Sequence, residues 1–216
     1  MCNNRLNKKV FQWANRNCNN NIKNWNFRVH SKFRELNVNH FCNIDFIFNK
    51  SSIKMLETLN FEKFKDKWSL DLNNDNRSKL RTYRIFKQEY CVEKYLQANM
   101  PGRFRSAFSK FRCGVAPLKI ETGRYEGIPN ENRLCFNDIC KNNSKVEDEK
   151  HVILHCPVYS HLREDIFTRA LSFCDNFNSL TDDDKFVFLF TNENLFYYSA
   201  KICHDILITR KIFLYK

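Results

Sequence analysis

A chain of 216 residues with 43% apolar and 15% aromatic residues has enough hydrophobic material for one large domain or two small ones, which excludes a disordered tail. A formal net charge of +12 and a pI near 9.3 attract polyanions in a salt-dependent way, so nucleic acid is the partner class that the charge favours. The stretch from Met1 to Lys9 lacks the apolar run of a secretory signal, and no apolar run approaches bilayer length, so an intracellular protein, nuclear or cytoplasmic, with no membrane partner is expected.

Ten cysteines in a chain of this size without a secretory signal read as reduced thiols or metal ligands, not as a disulfide framework. Tracts such as Asn19 to Asn21 also fit a compositional bias, in which part of the basic excess is passive.

Val10 to Cys18, Ile22 to Leu36, Ile53 to Leu72 and Lys79 to Leu96 carry apolar residues at three- and four-residue spacing, with Asn-rich joints between them, and predict helices. In the last of these, Leu80, Tyr83, Phe86 and Tyr90 share one face while Arg77, Arg81 and Arg84 line another. After Pro101 a second basic helix is expected, with Phe104, Ala107, Phe108 and Phe111 as its apolar stripe and Arg103, Arg105, Lys110 and Arg112 around it. Each helix alone reads as a solvated charged surface; the two in succession point to a phosphate-facing surface. The interleaved Phe residues have core spacing, which argues against their being exposed base-stacking platforms.

All four glycines and all four prolines fall between residues 101 and 157, so chain-breaking chemistry is concentrated there. Within that window, Cys135 and Cys140 form a Cys-x4-Cys pair and His151 and Cys156 a His-x4-Cys pair. A loop that turns two thiolates inward, followed by a helix end with an imidazole and a third thiolate, is what a tetrahedral structural Zn2+ site needs. Ser144 and Glu147 have capping-box spacing and predict the start of the helix that carries His151, which Pro157 ends. His155 competes for the fourth position because it shares a face with His151, and Cys156 is preferred as the softer donor. Ordinary buried cysteines are the competing reading for the site as a whole. Cys91, Cys113, Cys174 and Cys203 are read that way outright.

Thr181, followed by Asp182, Asp183 and Asp184, predicts a capped helix start in which the acids complement the helix dipole. A metal-binding acidic cluster is the alternative for them. The closing segment from Leu195 to Tyr215 is expected as one long helix with Leu195, Ile202, Ile206 and Phe213 on its buried stripe.

The stretches KLRTYRIFKQEYCVEKYLQ, RFRSAFSKFRCG, KIETGRYEGIPNENRLC and VEDEKHVILHCPVYSHLR, with the closing DDDKFVFLFTNENLFYYSAKICHDIL, resemble the region downstream of the polymerase domain in non-LTR retrotransposon reverse transcriptases. The resemblance covers about residues 76–216 and reaches residues 1–75 only through the segments around Trp13 and Trp25. It implies a Cys-Cys-His-Cys zinc motif, here Cys135, Cys140, His151 and Cys156, in a region that helps to hold template RNA or target DNA. The four-residue gap between the first two cysteines departs from the two-residue gap of the family. No aromatic-x-Asp-Asp motif stands in a strand-turn-strand setting, so no polymerase activity is expected.

The resulting expectation is a mainly α chain, a multi-helix domain with a small loop-helix zinc-binding insert. Its regions are an N-terminal helical part (1–75), a basic helical part (76–132), the zinc-binding segment (133–157) and a C-terminal helical part (158–216). It would bind RNA or DNA through Arg77, Arg81, Arg84, Arg103, Arg105, Lys110 and Arg112. The alternative is a protein-interaction module that docks on a reverse transcriptase core; a hydrolase built on Asp182 to Asp184 is a remote third.

Overall fold

The computed structural model describes residues 25–42, 49–74 and 81–214. The chain divides into two compact units, Met1–Leu70 and Asp71–Lys216. Among the described residues it is mainly α; the extended pairing seen there is one isolated antiparallel bridge between Leu134 and Val146. The expected helix from Val10 to Cys18, together with Arg77 and Leu80, lies outside the described residues.

In the first unit, helix α1 (Trp25–Glu35) ends in a Schellman arrangement with Asn37 at the left-handed position, φ 57°. Val38 N–H donates to the Phe33 carbonyl at 2.9 Å and Asn37 N–H to the Arg34 carbonyl at 3.1 Å. Asparagine substitutes for the more usual glycine there because its short polar side chain tolerates positive φ. Helix α2 (Lys50–Leu72) starts at Asn49, whose Oδ1 accepts from Ser52 N–H at 2.8 Å. The C-terminal ends of both helices lie close to where the apolar spacing stops, and α2 gains an extra turn at its start from the Asn49 cap.

In the second unit the expected single helix from Lys79 to Leu96 is replaced by two single turns, α3 (Tyr83–Phe86) and α4 (Lys94–Gln97), separated by a non-helical stretch. The cause is Arg112, which ends α5 (Gly102–Arg112) and is buried. Its guanidinium donates to Glu93 Oε2 at 2.8 Å and to the Phe190 carbonyl, and lies 4.6 Å from the Phe86 ring centroid and 5.2 Å from that of Tyr95. Lys87, also buried, pairs with the other oxygen of Glu93 at 3.1 Å. A buried cation must be matched by a carboxylate. Breaking the helix brings Glu93 and Lys87 to that point, so tertiary demand overrides local propensity.

Helix α5 otherwise follows expectation, with Phe104, Ala107, Phe108 and Phe111 all buried. It packs along α11 (Phe196–Leu214), the principal helix pair of this unit. Phe108 stacks on Phe190 at 4.9 Å and 5°, and Tyr95 meets Phe108 edge-on at 5.0 Å. Of the stripe expected on the last helix, Leu195, Ile202 and Ile206 are buried but Phe213 is exposed, its ring 5.9 Å from that of Phe136. The helix therefore runs past the end of the core. Leu195 lies in a 3-10 turn, Glu193–Leu195, just before α11.

Between α5 and α11 the chain forms α6 (Lys119–Tyr125), α7 (Asp138–Asn142), α8 (Glu149–Leu154), α9 (Ser160–Leu171) and α10 (Asp182–Thr191). Helix α6 contains Gly123, a residue that weakens a helix. A Cβ at that position would stand 2.8 Å from Arg133 Cγ. The glycine lets Arg133 cross the helix and donate to the Ile120 and Ile128 carbonyls at 2.7 and 2.8 Å. Helix α10 starts as expected: Thr181 Oγ1 accepts from Asp184 N–H at 3.2 Å and donates to Asp184 Oδ2 at 2.6 Å.

Candidate metal centre

The segment from Arg133 to Pro157 folds by short-range hydrogen bonds into a knuckle followed by a helix. Cys135 N–H donates to the Lys145 carbonyl and Lys145 N–H to the Cys140 carbonyl, each at 2.9 Å, while Glu147 N–H donates to the Arg133 carbonyl at 2.9 Å. Asn137 caps α7, accepting from Cys140 N–H at 3.4 Å. The four residues between Cys135 and Cys140 thus lead into a capped helical turn, which is how the longer gap still brings both sulfurs to one side.

The capping of α8 differs from expectation. Ser144 sits at φ 52° in the turn after α7, and the N-cap of α8 is Asp148, whose Oδ1 accepts from His151 N–H at 2.7 Å. Glu147, expected as the capping partner of Ser144, is instead fully buried. It accepts from Lys119 N–H at 2.6 Å and from both Arg210 Nε and Nη2 at 2.8 and 2.7 Å. A buried carboxylate needs a paired cation far more than a helix start needs a second cap.

His151 is in the first turn of α8, and Cys156 N–H donates to its carbonyl at 2.8 Å, so the chain turns just after the helix and places Cys156 beside the imidazole. The result is a buried group of four donors, Cys135, Cys140, His151 and Cys156, whose ligand atoms all lie within 4.8 Å of one another. His155 is exposed and directed elsewhere, with its Nε2 2.9 Å from Asp182 Oδ2. Cys156, not His155, is the fourth member of the group.

Three observations show that these residues suit a metal ion. His151 Nε2 is buried with no hydrogen-bond partner among the described residues, a costly state that coordination would relieve. The sulfurs of Cys135 and Cys156 are 3.8 Å apart. Sharing a hydrogen bond with Cys156 raises the Cys135 thiol, with burial adding to the effect, while the same hydrogen bond lowers Cys156 against the effect of burial. A cation that binds thiolates would displace the shared proton.

The surroundings complete the charge balance. Arg163, buried on α9, donates to the Val152 carbonyl at 3.3 Å and to the Cys156 carbonyl. Three thiolates around a divalent ion would carry one net negative charge, which this guanidinium would oppose. Glu149 is buried and bidentate with Arg81 at 2.8 and 3.0 Å, with Thr82 Oγ1 at 3.3 Å. Burial pushes its carboxyl up to about 7 against the pull of Arg81. Neither Arg163 nor the Glu147–Arg210 and Glu149–Arg81 pairs were anticipated from sequence, because their partners lie far along the chain or on a different helix.

Comparison with known proteins finds no matching family model, no matching curated protein and no matching solved structure.

The seven basic residues expected at a phosphate-facing surface are placed very differently from one another. Arg77 lies outside the described residues. Arg112 is buried on Glu93, which corrects its assignment to a surface role. Arg81 is held by Glu149, Arg84 donates to the Asn74 carbonyl at 3.1 Å, and Arg105 donates to the Ala98 carbonyl at 2.8 Å. Arg103 and Lys110 are exposed on α5, with Arg103 5.2 Å from the Phe104 ring centroid. Among the cysteines read as ordinary core residues, Cys203 is buried, Cys113 and Cys174 are half-buried, and Cys91 is exposed. No helix among the described residues is long and apolar enough to cross a membrane.

Proposed function

We propose that this chain is a zinc-stabilised nucleic-acid-binding module of the kind that follows the polymerase domain in non-LTR retrotransposon reverse transcriptases, with no polymerase activity of its own. The observation that carries the reading is the convergence of three thiols and one imidazole into a single buried group. Zinc suits it: thiolate and imidazole donors favour this ion, and bonds of about 2.3 Å at the tetrahedral angle place two sulfurs about 3.8 Å apart. Cys135 and Cys156 have that separation, 3.8 Å. With four protein ligands no position is left for a reactive water, so the role is structural. The net charge of +12 supports a polyanionic partner.

The three aspartates of α10 support a non-catalytic reading. Asp184 takes part in the Thr181 cap, Asp183 pairs with Lys150 and Asp182 with His155, so each is engaged in holding the helix start in place.

The test combines metal and nucleic-acid measurements on the full chain. Purified protein should contain about one zinc per chain, lost on Cys135→Ser. RNA or DNA affinity should fall steeply with salt. A second reading, docking on a polymerase core, is favoured by the exposed apolar residues Ile208, Ile212 and Leu214 on the last turns of α11. Zinc-loaded protein that bound no nucleic acid at low salt, or bound it indifferently to salt, would favour docking.

A further inference from the structure

A groove of about 390 Å³ runs between α5 and α11. The apolar part of its lining, its floor, comes from Ala107, Pro117, Leu207, Ile208 and Leu214, and every ionisable residue that lines it is basic. Arg210 is committed to Glu147, and His204 to Asp205 at 3.0 Å. Arg103, Lys110 and Lys211, by contrast, have no ion pair or hydrogen bond among the described residues, and all three are exposed. Elsewhere in this unit, Lys94 and Lys201 have acidic partners, while Lys141 and Lys145 are exposed cations outside the groove with no ion pair among the described residues. What distinguishes the groove is that three such cations line one concave site together with apolar residues and no acid.

The shape of the groove selects among polyanions. Arg103 and Lys110 are seven residues apart on one helix, roughly 10 Å by helical rise, so their charges follow the groove instead of marking a point. A duplex presents phosphates on a stiff convex rod with its bases sealed inside; it would touch the rim and leave the floor uncovered. A single strand can lay phosphates on the rim and a sugar or base face on the floor. Because that floor is aliphatic, the contact tolerates any base.

The geometry points to this groove as a site for single-stranded nucleic acid, with phosphates held by Arg103, Lys110 and Lys211 and a nucleoside set against Ala107, Leu207 and Leu214. This rests on the nucleic-acid reading above and adds the strand form and the place.

The test uses the full zinc-loaded chain and fluorescence anisotropy with labelled oligothymidylate, oligouridylate and a duplex of equal length. The triple variant Arg103→Ala, Lys110→Ala, Lys211→Ala removes only exposed side chains, and its helicity and zinc content should match wild type. It should bind the single strands at least tenfold more weakly, with the slope of log affinity against log salt reduced by about 2, from about 0.7 per lost phosphate contact. Leu207→Asn should weaken single strands and leave the duplex unchanged, and Lys94→Ala should change neither. Undiminished single-strand binding by the triple variant, or duplex bound as tightly as single strand by wild type, would overturn the groove while leaving the nucleic-acid reading intact. Wild type that binds none of the three probes would end that reading, and the groove with it.

Discussion

The α5–α11 pair and the segment with the Cys3His group lie in one compact unit but are held together by different physics. The helix pair relies on burial: Phe104, Phe108 and Phe111 on one side and Ile202, Cys203 and Ile206 on the other, with aromatic contacts added. The segment from residue 133 to 163 buries Val152, Ile153 and Tyr159 too, but adds many buried polar groups. Four metal-donor side chains and the buried charges Glu147, Glu149 and Arg163 lie within a short stretch. Apolar contacts weaken gradually when one methylene is lost. A coordination sphere or a buried ion pair fails when a single member is removed. The two regions should therefore respond to mutation with different steepness.

The largest effect should come from the coordination sphere. Cys156→Ser, or a strong chelator, should abolish metal binding and, because structural zinc contributes on the order of 10 kcal/mol of apparent binding energy, melt the segment around residues 133–157. Hydrogen exchange should show protection lost there and kept in α5 and α11. Equal loss in both regions would break the comparison. Next comes Phe108→Ala, which should cost about 3–5 kcal/mol in denaturant titration by cavity formation while the protein keeps a full complement of zinc. Glu147→Gln should be comparable, about 3 kcal/mol, because it leaves Arg210 without its carboxylate in a buried setting. A cost below about 1 kcal/mol would mean that water reaches the pair.

Smaller effects belong to the helix starts. Thr181→Ala should cost about 1 kcal/mol, the usual value of a lost N-cap. Replacing Asp182, Asp183 and Asp184 together by Asn should cost little more, since each is an exposed pair or a dipole contact. Nuclease and polymerase assays with Mg2+ or Mn2+ should show no turnover before or after the change. Activity that vanished in the triple variant would replace the structural role of these residues with a catalytic one.

The sequence revealed whatever depended on neighbours. The stripe Phe104, Ala107, Phe108 and Phe111 is a local period, the Thr181 cap reaches only to Asp184, and the metal donors come as two close pairs, Cys135 with Cys140 and His151 with Cys156. Features that depended on distant partners were hidden. The helix expected from Lys79 to Leu96 is broken because Arg112, nineteen residues beyond Glu93, pairs with it. Glu147 serves Arg210, sixty-three positions away, so the Ser144 cap it suggested never forms. Likewise, Arg81, Arg84, Arg105 and Arg112 fit the expected basic faces, yet each is committed to a carboxylate or a carbonyl that no period displays. The fold class was thus easier to read than the electrostatics, because apolar periodicity survives in a linear text and charge pairing does not.

The Glu147–Arg210 pair gives the final helix a second task. Arg210 is both a wall of the groove and, among the described residues, the side-chain cation that donates to a carboxylate one residue ahead of the cap that starts α8. Proteolytic trimming of α11 back to Thr209 would remove no donor atom from the coordination group. It would leave the buried Glu147 carboxylate, one residue before the Asp148 cap of α8, without its cation. Metal retention after limited digestion would thus gauge whether the docking of α11 reaches a donor group to which the helix contributes no ligand atom.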